Sequence, residues 1–243
     1  MRIPRIYTEQ PLAPGREFNL EERAARHLVQ VLRLKGGAEL VLFNGDDREY
    51  PAQLTAATKQ QVRAKVLGVS APEAESPLHI HLAIGISKGE RMDYTLQKAV
   101  ELGVSEITPL FTKRSVVHLK GERREKRMLH WRNVVIAACE QSGRCRLPQL
   151  RTACGLEEWL PNHSTGYRLL LDPRAARSLP ELSAPESGID ILVGPEGGLS
   201  EEERNLATSA GFQGVRLGPR VLRTETAPLA AIAALQALWG DFR

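Results

Sequence analysis

From residue 78 onward, short apolar runs alternate with helix-like segments, and this alternation restricts the possible folds more than any other feature of the chain. LHIHLAIGI (78–86), ITPLF (107–111), YRLLLD (167–172), IDILVG (189–194) and GVRLG (214–218) read as strands. TLQKAVELG, closed by Gly103, the stretch 123–141, SEEERNLATSAG (200–211) and APLAAIAALQALWG read as helices. Strands separated by helices are joined by crossovers and pair in parallel, so an α/β fold with a mainly parallel sheet is predicted. Ser200 and Glu203 have the spacing of a capping box, and Gly211 ends that helix. The last helix has almost no polar surface, so it must be buried in this chain or against a second copy.

The first 70 residues follow a different pattern. RIYTEQPLA, AELVLFNG, YPAQLTAAT and QVRAKVLGV are short strand-like runs, with a hairpin turn at Asn44-Gly45-Asp46-Asp47. A helix is expected over 21–33, with Ala25, Leu28, Val29 and Leu32 on one face. The pattern suits a small β-barrel over residues 1–70. APEAESP (71–77) reads as a linker, and 78–243 as a second domain. His79 and His81 flank an apolar residue in a strand, and both are expected to face solvent.

The chain has 243 residues, 42% of them hydrophobic, enough for a sizeable core. No run of 18 apolar residues exists, so no membrane span is expected. The first ten residues do not resemble a secretory signal, and a cytoplasmic protein is expected. Cys139, Cys145 and Cys154 form no C-x-x-C pair, which suits reduced thiols and no metal site. The net charge of +4 is unevenly placed. Residues 113–151 carry eleven Lys/Arg against three Asp/Glu, a local +8. Such a stretch fits a polyanion partner; a solvated helix face is the plainer alternative.

No P-loop, G-x-G-x-x-G turn, G-x-S-x-G elbow or H-E-x-x-H motif occurs. Two loops remain. ILVGPEGGLSEEE (191–203) places Gly194, Gly197 and Gly198 between a strand and a helix N-terminus, where backbone can approach a ligand closely; a tight turn alone would also use them. LGPRVLRTETAP (217–228) holds Arg220, Arg223 and Glu225 at the mouth of an apolar core. A helix cap by Thr226, with Pro228 in the first turn, explains part of it but leaves the arginines unexplained.

GPEGGLS followed by LGPRVLRTETA resembles the uridine-N3 methyltransferases of small-subunit ribosomal RNA, within the SPOUT superfamily of knotted methyltransferases. SKGERMDYTLQKAVELGVSEITPLF (87–111), AACEQSGRCRLPQL (137–150) and MRIPRIY are also similar to that family, so the resemblance spans essentially the whole chain. It implies a PUA-like RNA-binding barrel at the N-terminus and a trefoil-knotted domain after it. It also implies a homodimer, S-adenosylmethionine as cofactor, and 16S ribosomal RNA, in the small subunit, as substrate. Leu171, Gly194, Glu196, Gly197, Leu217, Gly218, Leu222 and Thr226 would contact the cofactor, mainly through backbone groups. Arg223 would stabilise charge on the uracil oxygens. Glu225 or Glu140 would be the base, a helix-end pair with Arg144 being the plainer role for Glu140. RNA contacts would come from Arg2, Arg5, Arg33, Lys35, Lys88, Arg91, Arg114, Arg123, Arg124, Lys126, Arg127, Arg144 and Arg146, with Tyr7 or Tyr94 as stacking platforms. Two rival readings are a non-catalytic RNA-binding assembly factor and a related knotted enzyme that modifies another RNA position.

Overall fold

The computed structural model describes residues 3–58, 61–72, 74–117, 119–162 and 166–242. Two compact units emerge: Met1–Glu75 with Cys139–Leu147, and Ser76–Ala138 with Pro148–Arg243.

The first unit is built on a five-stranded sheet of β1 (Arg5–Tyr7), β2 (Glu17–Asn19), β3 (Glu39–Phe43), β4 (Tyr50–Ala57) and β5 (Val62–Val66), in the order β1-β3-β4-β5-β2. β1 runs parallel to β3, and the other pairings are antiparallel. Alternation buries Tyr50, Ala52 and Leu54 of β4 and leaves Pro51, Gln53 and Thr55 exposed, the half-buried pattern expected of these runs. Their buried faces join Ile6, Leu28, Leu40, Leu42, Ala64 and Val66 in one core. The helix expected over 21–33 is shorter and irregular. Regular α1 (Glu22–Arg26) gives way to a π-turn at His27–Val31, and Arg33 adopts a left-handed φ of 53°. Leu28 is fully buried in that turn and Ala25 and Val29 pack against the same core, but Leu32 is exposed, so the apolar stripe ends before it.

Residues 139–147 group with this unit rather than with the sequence around them, because their polar groups are spent on it. Glu140 accepts from the Tyr7 amide (3.0 Å) and from Arg23 (2.8 Å). Arg5 donates to the Gly143 carbonyl at 3.0 Å and pairs with Glu49. Arg144, 5% exposed, pairs with Glu75 at 2.6 Å, and Arg146 pairs with Asp47. The helix-end pair expected between Glu140 and Arg144 is thus replaced by two separate pairs, Arg23–Glu140 and Arg144–Glu75.

The second unit holds β6 (Ile80–Gly85), α2 (Glu90–Glu101), β7 (Glu106–Phe111), most of α3 (Gly121–Ser142), β8 (Gln149–Leu150), β9 (Cys154–Gly155), α4 (Leu156–Trp159), β10 (Tyr167–Leu171), β11 (Ile189–Val193), α5 (Glu201–Ser209), β12 (Gln213–Val215) and α6 (Thr226–Trp239). Its sheet runs β12-β10-β11-β6-β7-β8, with β9 also on β7, and every pairing is parallel as the alternation predicts. β6 and β11 are buried along their whole length, as strands covered on both faces must be. That overturns the expectation for His81, which is 3% exposed. Its ring lies 3.1 Å from Asp190 and 2.8 Å from Thr108, near the strand starts. His79 does face solvent.

The capping box at α5 is present: Ser200 accepts from the Glu203 amide and Glu203 from the Ser200 amide. The cap expected at Thr226 is not. Glu225 holds the N-cap position of α6 in helical geometry, with no side-chain cap, and Thr226 is the first helical residue. In α6 the buried Gln236 donates to Leu102 O (3.0 Å) and accepts from Ser76 (2.7 Å), which satisfies the one polar group on its inner face. No helix among the described residues is long and apolar enough to cross a membrane.

Candidate active site

In a parallel sheet all strands end at one edge, so the loops that follow them gather there. Here the chain steps outward from β6 to β7 and β8, then returns with β11 against the other side of β6. Such a reversal opens a crevice beyond the strand ends, the usual ligand site of open α/β sheets. A cavity of about 710 Å³ lies at this edge. Its walls come from the ends of β10 and β11 with the loops after them, from Arg91 of α2, from Arg114 after β7, and from the loop before α6.

The two loops singled out in the sequence meet in this cavity. Gly194, Glu196, Gly197, Leu222, Arg223 and Glu225 all line it, together with Leu171, Arg91 and Arg114. The loops are tied directly, the Thr224 hydroxyl donating to the Gly194 carbonyl at 2.9 Å. Glycine is required at two points. A Cβ on Gly194 would stand 2.8 Å from the Leu199 nitrogen, and Gly198 has a φ of +66°. Arg114 donates to the Gly197 carbonyl at 3.0 Å, while the Lys113 amide donates to Glu203 at 2.7 Å, so the loop after β7 is fastened to the glycine loop and to α5.

Carboxylates set the electrostatics. Glu196 Oε1 accepts from the Lys88 amide (2.9 Å) and from Arg91 (3.0 Å). Burial pushes its carboxyl up, but these donors and its own backbone amide outweigh that and hold it below the usual carboxylate range. Asp172 behaves alike: burial opposes its charge, and the Arg174 amide and guanidinium, with Arg204, overcome it. Glu225 is different, because its Oε2 is buried and has no hydrogen-bond partner among the described residues. Among the described residues the nearest cation to that atom is Arg91 Nε, at 4.0 Å.

The remaining site expectations are placed as follows. Leu217 lies outside the main cavity and lines a small adjoining one with Arg220, Leu171 and Leu222. Gly218, with a φ of +76°, and the exposed Thr226 line neither. Glu140 does not line the cavity, and its carboxylate is engaged by Arg23 and Tyr7. Arg33, Lys35, Lys88, Arg123 and Lys126 are exposed, and Arg124 and Arg127 are half-buried. Arg5 and Arg144 are largely enclosed in ion pairs, whereas Arg146 is exposed although paired. Arg2 lies outside the described residues. Tyr94 is 50% exposed, and Tyr7 packs edge-on against Phe43.

Asp172, Pro173, Arg174 and Arg204 line the cavity and were not singled out in the sequence. Asp172 and Pro173 directly follow the end of β10, and the rule that ligands sit beyond strand C-termini would have found them. Arg204, inside α5, carries no such signal. No group of three His, Cys, Asp or Glu residues among the described residues could hold a metal ion.

The cavity has what a nucleoside-sized ligand requires. Glycine backbone lets that ligand approach, Leu171 and Leu222 supply apolar walls, and three carboxylates stand among five arginines around it.

Comparison with known proteins agrees. Residues 74–236 match the RNA methyltransferase domain family, and residues 20–67 match the RNA methyltransferase PUA domain family. The chain is 34% identical to the ribosomal RNA small subunit methyltransferase E of Buchnera aphidicola, over 100% of this chain and 96% of that one. Among solved structures, a methyltransferase from Legionella pneumophila with bound S-adenosylmethionine superposes with a TM-score of 0.97 at 41% identity, over 100% of both chains. The ribosomal RNA small subunit methyltransferase E of Neisseria gonorrhoeae bound to S-adenosylmethionine does so with a TM-score of 0.93 at 42% identity, also over 100% of both chains. The chain therefore belongs to the RNA methyltransferase family whose relatives are named ribosomal RNA small subunit methyltransferase E.

Proposed function

We propose that this chain methylates N3 of a uridine in 16S ribosomal RNA of the small subunit, with S-adenosylmethionine as donor. The observation that carries this reading is the single cavity that the two loops build together, closed by the Thr224–Gly194 bond.

The cofactor, when bound, supplies a methyl group already attached to a good leaving group. Backbone of Gly194, Gly197 and Leu222, with the side chains of Leu171 and Leu222, would hold it. The work left to the protein is to orient N3 toward that methyl and to remove the N3 proton. Glu225 is the base in this reading: its unpartnered Oε2 can accept the proton as the N3–carbon bond forms. Glu140 is the weaker candidate, since Arg23 and the Tyr7 amide occupy its carboxylate. Arg223, exposed at the cavity lip, would disperse charge building on the uracil oxygens.

RNA would approach over exposed cations such as Arg33, Lys35, Arg123 and Lys126. The same reading takes the last segment of the chain to be threaded through a loop in a trefoil knot. It also takes α6, which leaves Leu229, Ala230, Ala233 and Ala234 only half-buried, to lie in a homodimer of a cytoplasmic enzyme.

The test is nucleoside mass spectrometry of small subunits incubated with the protein and labelled S-adenosylmethionine. The expected product is 3-methyluridine. Label in another nucleoside would assign the chain to a different target, and RNA binding with no cofactor binding would make it an assembly factor. Glu225→Gln should bind the cofactor normally and turn over at least about a hundred-fold more slowly; normal turnover would end the base assignment.

A further inference from the structure

The resemblance implies an RNA-contacting role for Arg91, but its surroundings fit something else. Arg91 opens α2, and its guanidinium reaches two carboxylates from different loops. Nη1 is 3.0 Å from Glu196 in the glycine loop, and Nε is 4.0 Å from Oε2 of Glu225 in the loop before α6. Glu196 is fixed from below by the Lys88 amide at 2.9 Å, so Arg91 is itself anchored. Three other cavity arginines are committed elsewhere, Arg114 to Gly197 O, Arg174 to Asp172 and Arg204 to Leu199 O, and Arg223 stands exposed at the cavity lip.

We propose that Arg91 is a positioning residue for the transfer step: held on Glu196, it spans the two loops and keeps Glu225 oriented at the cavity wall with Oε2 unbonded. This inference rests on the proposed reaction and gives that site a part not yet assigned. The distance is what makes the arrangement useful. At 4.0 Å the cation compensates a buried anionic oxygen without forming the hydrogen bond that would occupy it, so the oxygen stays available to an incoming N–H. With no cation nearby, a buried carboxylate turns toward water or another donor, and its aim is lost.

The two roles for Arg91 differ in kinetics. A phosphate contact contributes to RNA binding, so its loss raises the KM for RNA and lowers the salt dependence, with kcat kept. A positioning residue acts on the step after binding. We would measure kcat, KM for RNA and the equilibrium affinity for S-adenosylmethionine in Arg91→Gln, Arg91→Lys, Glu225→Gln and the Arg91→Gln/Glu225→Gln double variant. Thermal melts would confirm folding, which is expected because Arg91 is 47% exposed.

The expected result is a kcat lower by on the order of ten- to a hundred-fold in Arg91→Gln, with the KM for RNA nearly unchanged. Arg91→Lys should recover part of kcat, since an ammonium restores the charge but not the two-pronged reach. The double variant should be no slower than Glu225→Gln alone, because both changes disable one unit. A normal kcat with a raised KM for RNA in Arg91→Gln, or losses that multiply in the double variant, would overturn the role of Arg91 while leaving the base intact. Normal turnover in Glu225→Gln would overturn both.

Discussion

Arg91 and Arg114 at the cavity and Arg5, Arg144 and Arg146 in the first unit are the same residue type, and all are held by acceptors, yet their situations differ. Arg91, in the first turn of α2, and Arg114, on the loop after β7, line an open cavity and remain exposed. Among the others, Arg144 is 5% exposed and locked to Glu75, Arg5 is enclosed by Glu49 and the Gly143 carbonyl, and Arg146 is tied to Asp47. A count of charges along the chain sees no difference between them. The local +8 over residues 113–151 includes Arg144 and Arg146, whose charge is balanced inside the first unit. A basic stretch therefore overstates the cationic surface it produces, while a glycine-rich loop at the end of a parallel strand states its position reliably.

The sharpest way to break this contrast is Arg144→Ala. If Arg144 holds structure, its removal leaves the partly buried Glu75 without its guanidinium and costs about 3 kcal/mol of stability. Denaturant melts should show this, and RNA affinity of the protein that remains folded should change little. A normal melting curve with weakened RNA binding would place Arg144 among the RNA contacts after all. The cavity side is tested by Gly194→Ala. The new Cβ would meet the Leu199 nitrogen at 2.8 Å and the Gly198 carbonyl carbon at 2.9 Å, so backbone must move. A shift of about 1 Å in a positioning loop costs on the order of a hundred-fold. A methyl-transfer assay should show turnover falling by that order, while far-ultraviolet circular dichroism stays the same.

Much of this architecture was legible in the sequence, and the failures have physical reasons. The parallel sheet, the hairpin after β3 and the capping box of α5 follow from local patterns of alternation, turn residues and caps, whereas a pocket shared by the two loops was implied only by the family resemblance. His81 was misread because β6 looks half-buried by alternation, and only the partners on both faces, with Asp190 and Thr108 to satisfy the ring, make it a core histidine. The attachment of residues 139–147 to the first unit rests on Tyr7, Arg23, Asp47 and Glu75, scores of residues away along the chain, and no local pattern encodes such pairs. Arg204 of α5 reaches the cavity from within a helix whose sequence reads as an ordinary solvated face. The cap at Thr226 failed because the loop places Glu225 in helical geometry one residue earlier, giving a carboxylate at the cavity the position a capping hydroxyl was expected to fill.

The smallest effect comes from the cations left exposed. Arg123 and Lys126, near the start of α3, are both exposed, and Lys126 has only an exposed pair with Glu122 at 3.4 Å. Exposed i,i+4 pairs contribute about 0.3–0.5 kcal/mol, so Arg123→Ala/Lys126→Ala should leave stability within about 0.5 kcal/mol of the starting protein. If these side chains lie against RNA phosphates, each lost contact removes about 0.7–0.9 from the slope of log affinity against log salt. The expected result is a slope lower by about 1.4–1.8 for the pair, with kcat unchanged at saturating RNA. An unchanged slope would reduce the exposed part of the +8 stretch to a solvated helix face, and the approach of RNA would then have to be carried by the loops at the cavity and by Arg33 and Lys35.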